Sequence, residues 1–477
     1  MLNPYDNRLD YGDILKPDEG FALDFAVGTT YSLDLDALIG ALMPLGLSEE
    51  TDSMLMKNPV YMLETLRKTG DRVAVFCEGG QIHAPNKPTQ LYVLLEKIVF
   101  TVKTQAVKAG SRYPSFHPKF WLIKYANSEN NQFKYRLVVL SRNLTFDRSW
   151  DVAFYMDGVR SKKHEKNEPV CDFLRYLLLN LPKDKKNQNA RQKREKIENL
   201  IEDLSYVAFE PNDNRFSDYE FIPTGITNSN GKPYDPSSTP LFDCDYAFHE
   251  ILVMSPFLTG EQIAEFNNRN KESGSRIREP RYRLFTRKMS LDKLIRSDGT
   301  LMTPDFEIWT LKDDVVDGEL NDKVADDNLT SDANISSADN PNETSDDAAT
   351  DIRKHDLHAK IYMLRRDRDV HLYLGSLNAS DNAIHGNVEF MICLKTTDSY
   401  ISMKNLSESL FCGEPDNEKN NPFEKADLSK IVKSEEQDDS SQINQIIKAI
   451  NRSSPTAVAI KETVGDLYAI KHRLRKY

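Results

Sequence analysis

A chain of 477 residues is too long for one small core, so a single large domain or two fused halves with an appendage is expected. Hydrophobic content of 39%, with three Trp and 22 Phe, is ordinary for a globular protein. No apolar run approaches the roughly 20 residues of a membrane span, and Met1–Asp13 lacks the basic and apolar regions of a signal peptide, so a cytoplasmic location with no membrane contact is expected. The net charge of −12 opposes nucleic-acid binding only in total, because Asp313–Asp351 carries 13 acidic residues against the single Lys323 and the remainder is close to neutral. Cys77, Cys171, Cys244, Cys393 and Cys412 are scattered and never at CxxC spacing, which argues against a disulfide framework or a zinc site.

In chain order, GFALDFAVGTTYSL from Gly20 reads as a strand, and Leu35, Leu38, Ile39, Leu42 and Met43 recur at helical spacing behind a capping Asp34 or Asp36. A second helix near Val60–Lys68 leads into the strand DRVAVFC. The run LYVLLEKIVFTVKTQ reads equally as a helix breaking into a strand or as one long strand. Three short strands follow, in FHPKFWLIKY, YRLVVLSRNLT and SWDVAFYMD. Residues 159–198 are a polar crossover with one apolar helix, and Lys183–Lys196 holds seven bases against Asp184 and Glu195, a solvated helix face or a local basic surface.

The same order then recurs. HEILVMSPFL with TGEQIAEFNNR, RYRLFTRK and PDFEIWTLK answer the earlier strands and helix, and HDLHAKIYML, HLYLGSLNAS and NVEFMICL answer the three short ones. This correspondence predicts an internal duplication, each half a mixed sheet covered by helices. The expected division is 1–205 for the first half, 206–398 for the second and 399–477 for a small appendage. The acidic stretch 313–351 has almost no large apolar residues and is expected to be a disordered insertion; a nucleic-acid mimic masking the site is the sharper alternative.

On a strand, residues two apart share a face, so His117 with Lys119, and His358 with Lys360, are expected to project together. One imidazole suits attack on phosphorus, and the other suits protonating the leaving oxygen and then deprotonating water. Lys119, Lys360, Asn143 and Asn378 would hold the non-bridging oxygens, so neither a metal nor a cofactor is expected. Ser141 and Ser376 belong to the Ser-x-Asn turns, while Asp151 and Glu389 are placed to accept from a His ring nitrogen and fix its tautomer. Trp150 could stack a base, although an aromatic there is more often core. His355, on the opposite strand face from His358, is not expected to be catalytic.

Over Gly20–Leu394 the sequence resembles the phospholipase D superfamily, through His117-x-Lys119 with Ser141-x-Asn143 and His358-x-Lys360 with Gly375-Ser376-x-Asn378. The resemblance implies a pseudo-twofold α/β fold of two phospholipase D-like halves, a phosphohistidine intermediate and metal-independent phosphodiester chemistry, with the N-terminal His117 as nucleophile. The family's usual Asp five residues after the Lys is replaced by Lys124 and Arg365, and the first copy lacks Gly before Ser141. These departures shift the resemblance towards the tyrosyl-DNA phosphodiesterase-like and nuclease branches. The expected substrate is nucleic acid, DNA in preference to RNA. Lipid cleavage and phosphate binding without turnover are the alternatives, and family analogy implies an ATPase or helicase partner or a second copy of the chain.

Overall fold

The computed structural model describes residues 2, 11–46, 59–85, 89–104, 114–127, 129–146, 149–184, 186–274, 277–316, 356–413, 421–431, 446, 450, 456–461 and 468–473. The first half contributes strands β1 (Phe21–Thr30), β2 (Val73–Glu78), β3 (Val99–Val102), β4 (Phe120–Asn127), β5 (Phe133–Leu140), β6 (Ala153–Arg160) and β7 (Val207–Pro211), in the order β7-β6-β5-β4-β1-β2-β3. The second contributes β8 (Asp218–Thr224), β9 (Glu250–Met254), β10 (Arg281–Thr286), β11 (Phe306–Leu311), β12 (Ile361–Arg366), β13 (Asp369–Gly375), β14 (Glu389–Thr396) and β15 (Phe423–Lys425), in the order β8-β14-β13-β12-β9-β10-β11-β15.

Six strands of each sheet correspond one to one. β1, β2 and β3 pair in parallel, as do β9, β10 and β11. The antiparallel meander β4-β5-β6 joins at β1, as β12-β13-β14 joins at β9. The protein is therefore a mixed α/β fold of two pseudo-symmetric halves, as the internal repeat predicts. The ambiguous run resolves as a helical turn, Tyr92–Leu95, followed by β3.

The sheets themselves divide the chain slightly differently from the expected boundaries. β7, beyond residue 205, adds to the edge of the first sheet at β6. In the segment assigned to the appendage, β15 extends the second sheet along β11, because Phe411 and Phe423 are buried against Phe285 and Trp309 at ring separations of 4.6 to 5.7 Å. Farther along, Thr456–Lys461 pairs antiparallel with Tyr468–Arg473. Residues 317–355, most of the acidic stretch with His355, lie outside the described residues; Asp313–Val316 forms a helical turn with Val315 buried.

Helices α1 (Leu35–Gly46) and α2 (Pro59–Gly70) cover one face of the first sheet, and α5 (Gly260–Glu272) covers the matching face of the second, following α3 (Glu168–Leu179) and α4 (Gln188–Leu204) in the chain. The remaining faces share one core with α3, α4 and α6 (Met403–Leu410). The expected crossover thus holds two helices rather than one. At its centre Phe120, Phe173 and Phe390 meet at 4.9 to 5.5 Å; each ring removed from water contributes roughly 1.5–3 kcal/mol. Phe120 follows Lys119 and Phe390 follows Glu389, so this contact sets the distance between the two motifs. No described helix is long and apolar enough to cross a membrane.

Candidate active site

The two His-x-Lys tripeptides sit just ahead of β4 and β12 rather than within them, correcting the expectation that they lie on the strands. The reason is backbone pairing across the halves. His117 N–H donates to the Val388 carbonyl at 2.9 Å and Val388 N–H to that of Ser115, while His358 N–H donates to the Trp150 carbonyl at 2.9 Å beside a parallel bridge of Ser149–Trp150 with Asp356–Leu357. Each motif is fastened to the approach to the other half's acidic residue.

Consequently Glu389 of the second half serves His117 of the first. Its buried carboxylate lies with Oε2 at 3.0 Å from His117 Nδ1 and accepts from Ser376 Oγ, while Oε1 accepts from Asn387 Nδ2 at 3.0 Å. A carboxylate only accepts, so Nδ1 carries the proton and the lone pair is on Nε2. Lys119 Nζ lies 3.1 Å from both ring nitrogens and donates to the His117 carbonyl at 2.9 Å; Lys360 donates to the His358 carbonyl at 2.6 Å. Tyr31 covers the His117 ring at 5.0 Å.

Asp151 does not repeat the role of Glu389. Its oxygens accept from Ser141 and from Ser149, at 3.2 and 2.5 Å, and among the described residues no hydrogen bond joins it to His358. The side chain is one methylene shorter than that of Glu389 and is drawn to a hydroxyl two residues earlier. Trp150, weighed as a base-stacking residue, instead packs edge-on against Phe423 while its carbonyl accepts from His358 and Ala359. Lys124 and Arg365, where the resemblance leads one to expect Asp, are engaged elsewhere: Lys124 pairs with Asp203 at 2.6 Å, and Arg365 donates to the Asp367 carbonyl at 3.0 Å.

The Ser-x-Asn turns are built alike. Ser141 and Ser376 each accept from the backbone N–H after the acid, Val152 at 2.9 Å and Phe390 at 3.0 Å, and donate to that acid. The N–H after each Asn is held by a hydroxyl at the end of the parallel strand two places away in the sheet, β1 or β9: Leu144 by Thr30 and Ala379 by Ser255, both at 2.9 Å. Asn143 and Asn378 are thereby fixed with Oδ1 buried and, among the described residues, unpartnered. An amide presents oxygen or NH2 by a half-turn, so each is open to a ligand.

Gly375 departs from the first copy for a steric reason. Its φ is +149°, and a Cβ there would lie 2.4 Å from the Phe390 carbonyl oxygen, whereas Leu140 at the matching position keeps φ negative. Gly375→Ala is expected to destabilise the protein by about 1–3 kcal/mol in urea unfolding. A midpoint unchanged from wild type would show that the turn does not need glycine.

Electrostatically the site is crowded with cations. Burial, opposed in part by Glu389 and reinforced by Lys119, lowers the His117 pKa to about 4. Burial and then Lys360, Arg287, Lys119 and Arg142 lower that of His358 to about 3. Lys119 is held well below the usual lysine range by burial and by Lys360, while Lys360 falls to about 8, burial outweighing the attraction of Asp151 and Glu389. An arriving anion would relieve this mutual repulsion. Arg287 and Asn387 were not singled out from sequence; aligning RYRLFTR with RVAVFCE places Arg287 opposite Glu78, the one signal available for it.

No protein-family model matches the sequence, and no curated protein matches it. Among solved structures, polyphosphate kinase from Porphyromonas gingivalis is similar over 92% of this chain, with 12% sequence identity and a TM-score of 0.42. The chain spans half, 50%, of the length of that kinase.

Proposed function

We infer that the chain is a metal-independent phosphodiesterase that cleaves nucleic acid through a phosphohistidine. One observation carries the reading: His117 and Lys119 of one half meet Glu389 of the other at a single site, with Nδ1 and Oε2 3.0 Å apart. His117 Nε2 would attack phosphorus, forming the P–N bond as the P–O bond to the leaving oxygen breaks. A protonated His358 would donate its proton to that oxygen, then take one from the water that opens the P–N bond and returns His117 free. In the unliganded site His358 is neutral at pH 7; the negative charge of the phosphate favours its protonation. Lys119, Lys360, Asn143 and Asn378 would hold the non-bridging oxygens.

The test is incubation with labelled single-stranded DNA, duplex DNA, RNA and phospholipid vesicles in excess EDTA. Cleavage of nucleic acid is the expected result. A strict requirement for Mg²⁺ would remove the mechanism, and activity confined to vesicles would remove the substrate class.

A further inference from the structure

The two halves differ where their sheets meet the site. Strand register matches Phe76 with Phe285 and hence Glu78 with Arg287. Both touch the residue before their half's motif histidine: Glu78 accepts from Phe116 N–H at 2.6 Å, whereas Arg287 Nε donates to the Leu357 carbonyl at 3.0 Å and lies 2.8 Å from Asp356. A carboxylate on the His117 side thus stands at the position that a guanidinium takes on the His358 side.

Arg287 has capacity to spare. It is only 9% exposed, yet among the described residues its buried Nη2 has no hydrogen-bond partner, an expensive state for a charged donor. Its guanidinium lies over the ring of Phe257, 4.4 Å from the centroid, and that ring remains 45% exposed. Isolated exposed aromatics are common, but this one is fixed on a buried cation at the site's rim. Phe257 lies in the turn after β9, next to Leu258, which bridges Ala379, the neighbour of Asn378. In the first half the same turn carries Tyr31, over His117.

We propose that Arg287 and Phe257 form a nucleotide subsite beside His358, in which Arg287 Nη2 donates to a phosphate oxygen and the outer face of Phe257 stacks a nucleobase. The subsite rests on the nucleic-acid reading of the site and narrows it to unpaired strands, because a base must leave its own stack to lie on the ring. Its guanidinium geometry suits a phosphate, and a stacked ring accepts any base, so sequence preference at this position is weak.

The experiment compares a single-stranded oligonucleotide with the same strand made abasic on both sides of the cleaved bond. In wild type the ratio of kcat/KM, intact over abasic, is expected to be roughly tenfold. Phe257→Ala brings that ratio close to one, and Phe257→Tyr restores it. Arg287→Lys raises KM for both strands alike, since the phosphate is common to them; a change in kcat alone would assign Arg287 to supporting Asp356 and Leu357. A wild-type ratio in Phe257→Ala, with oligonucleotide cleavage intact, overturns the subsite alone. If wild type leaves every oligonucleotide uncut but hydrolyses bis(4-nitrophenyl) phosphate in a His117-dependent way, the nucleic-acid reading falls and the subsite with it.

Discussion

Replacing His117 by alanine is expected to lower phosphodiester cleavage by roughly 10⁴-fold or more, the scale on which removing a covalent nucleophile acts. The ring is only 16% exposed, its Nδ1 is engaged by Glu389, and its low pKa leaves Nε2 unprotonated at neutral pH. Substrate binding should change much less, because Lys119, Lys360, Asn143 and Asn378 remain. Rapid alkaline quenching of wild type on a phosphate-labelled strand should trap label on the protein, and His117→Ala should carry none. Label persisting in that variant but absent from His358→Ala would reverse the roles of the two histidines. Cleavage within tenfold of wild type in both variants would falsify the two-histidine mechanism.

Glu389→Gln is the second large effect, a fall in kcat of roughly 10³- to 10⁴-fold. The carboxylate takes hydrogen bonds from His117, Ser376 and Asn387 with no exposed surface of its own. An amide of the same shape must turn NH2 towards one of these donors, and an imidazole facing NH2 moves its proton to Nε2, the atom that has to attack. The pH profile gives an independent reading. In the free enzyme His117 is near 4, His358 near 3 and Lys360 near 8, and wild-type kcat/KM needs His117 neutral and His358 protonated. It is therefore expected to peak towards the acid end, falling below the peak as the nucleophile is protonated and above it as His358 loses its proton. The fall steepens above 8 as Lys360 loses its charge. Glu389 raises the His117 pKa by stabilising the imidazolium, so its neutralisation should move the acid limb lower. Lys360→Arg, which stays charged, should carry the steeper fall upward. A steepening fixed at 8 in that variant would mean another group sets it.

Much of this could be read from residues near one another in the chain. The order of strands, the duplication and both Ser-x-Asn turns follow from local patterns, since a strand, a tight turn and a two-residue spacing are each decided within about ten residues. What was hidden is non-local. That Glu389 belongs to His117, 272 residues away, depends on the Phe120–Phe390 contact and on two backbone bridges between halves. Asp151 illustrates the opposite limit: its place after Asn143 was legible, but the hydroxyl of Ser149 and one missing methylene took it from His358. Trp150 acts through its carbonyl, which side-chain reasoning does not see. Arg287 was visible only as a mismatch between copies.

The cross-half bridges also bear on how such a chain could arise. His117 takes its carboxylate, Glu389, from the other half, so on the proposed reading an unduplicated ancestor would have worked as a twofold dimer with the phosphate on its axis. Fusion frees the two sides to diverge, as Glu78 and Arg287, Leu140 and Gly375, and Asp151 and Glu389 have done. A reacting phosphodiester is itself lopsided, with an attacking nitrogen on one side and a departing oxygen on the other. A strict dimer must meet it with two identical faces, whereas the fused chain offers each side its own.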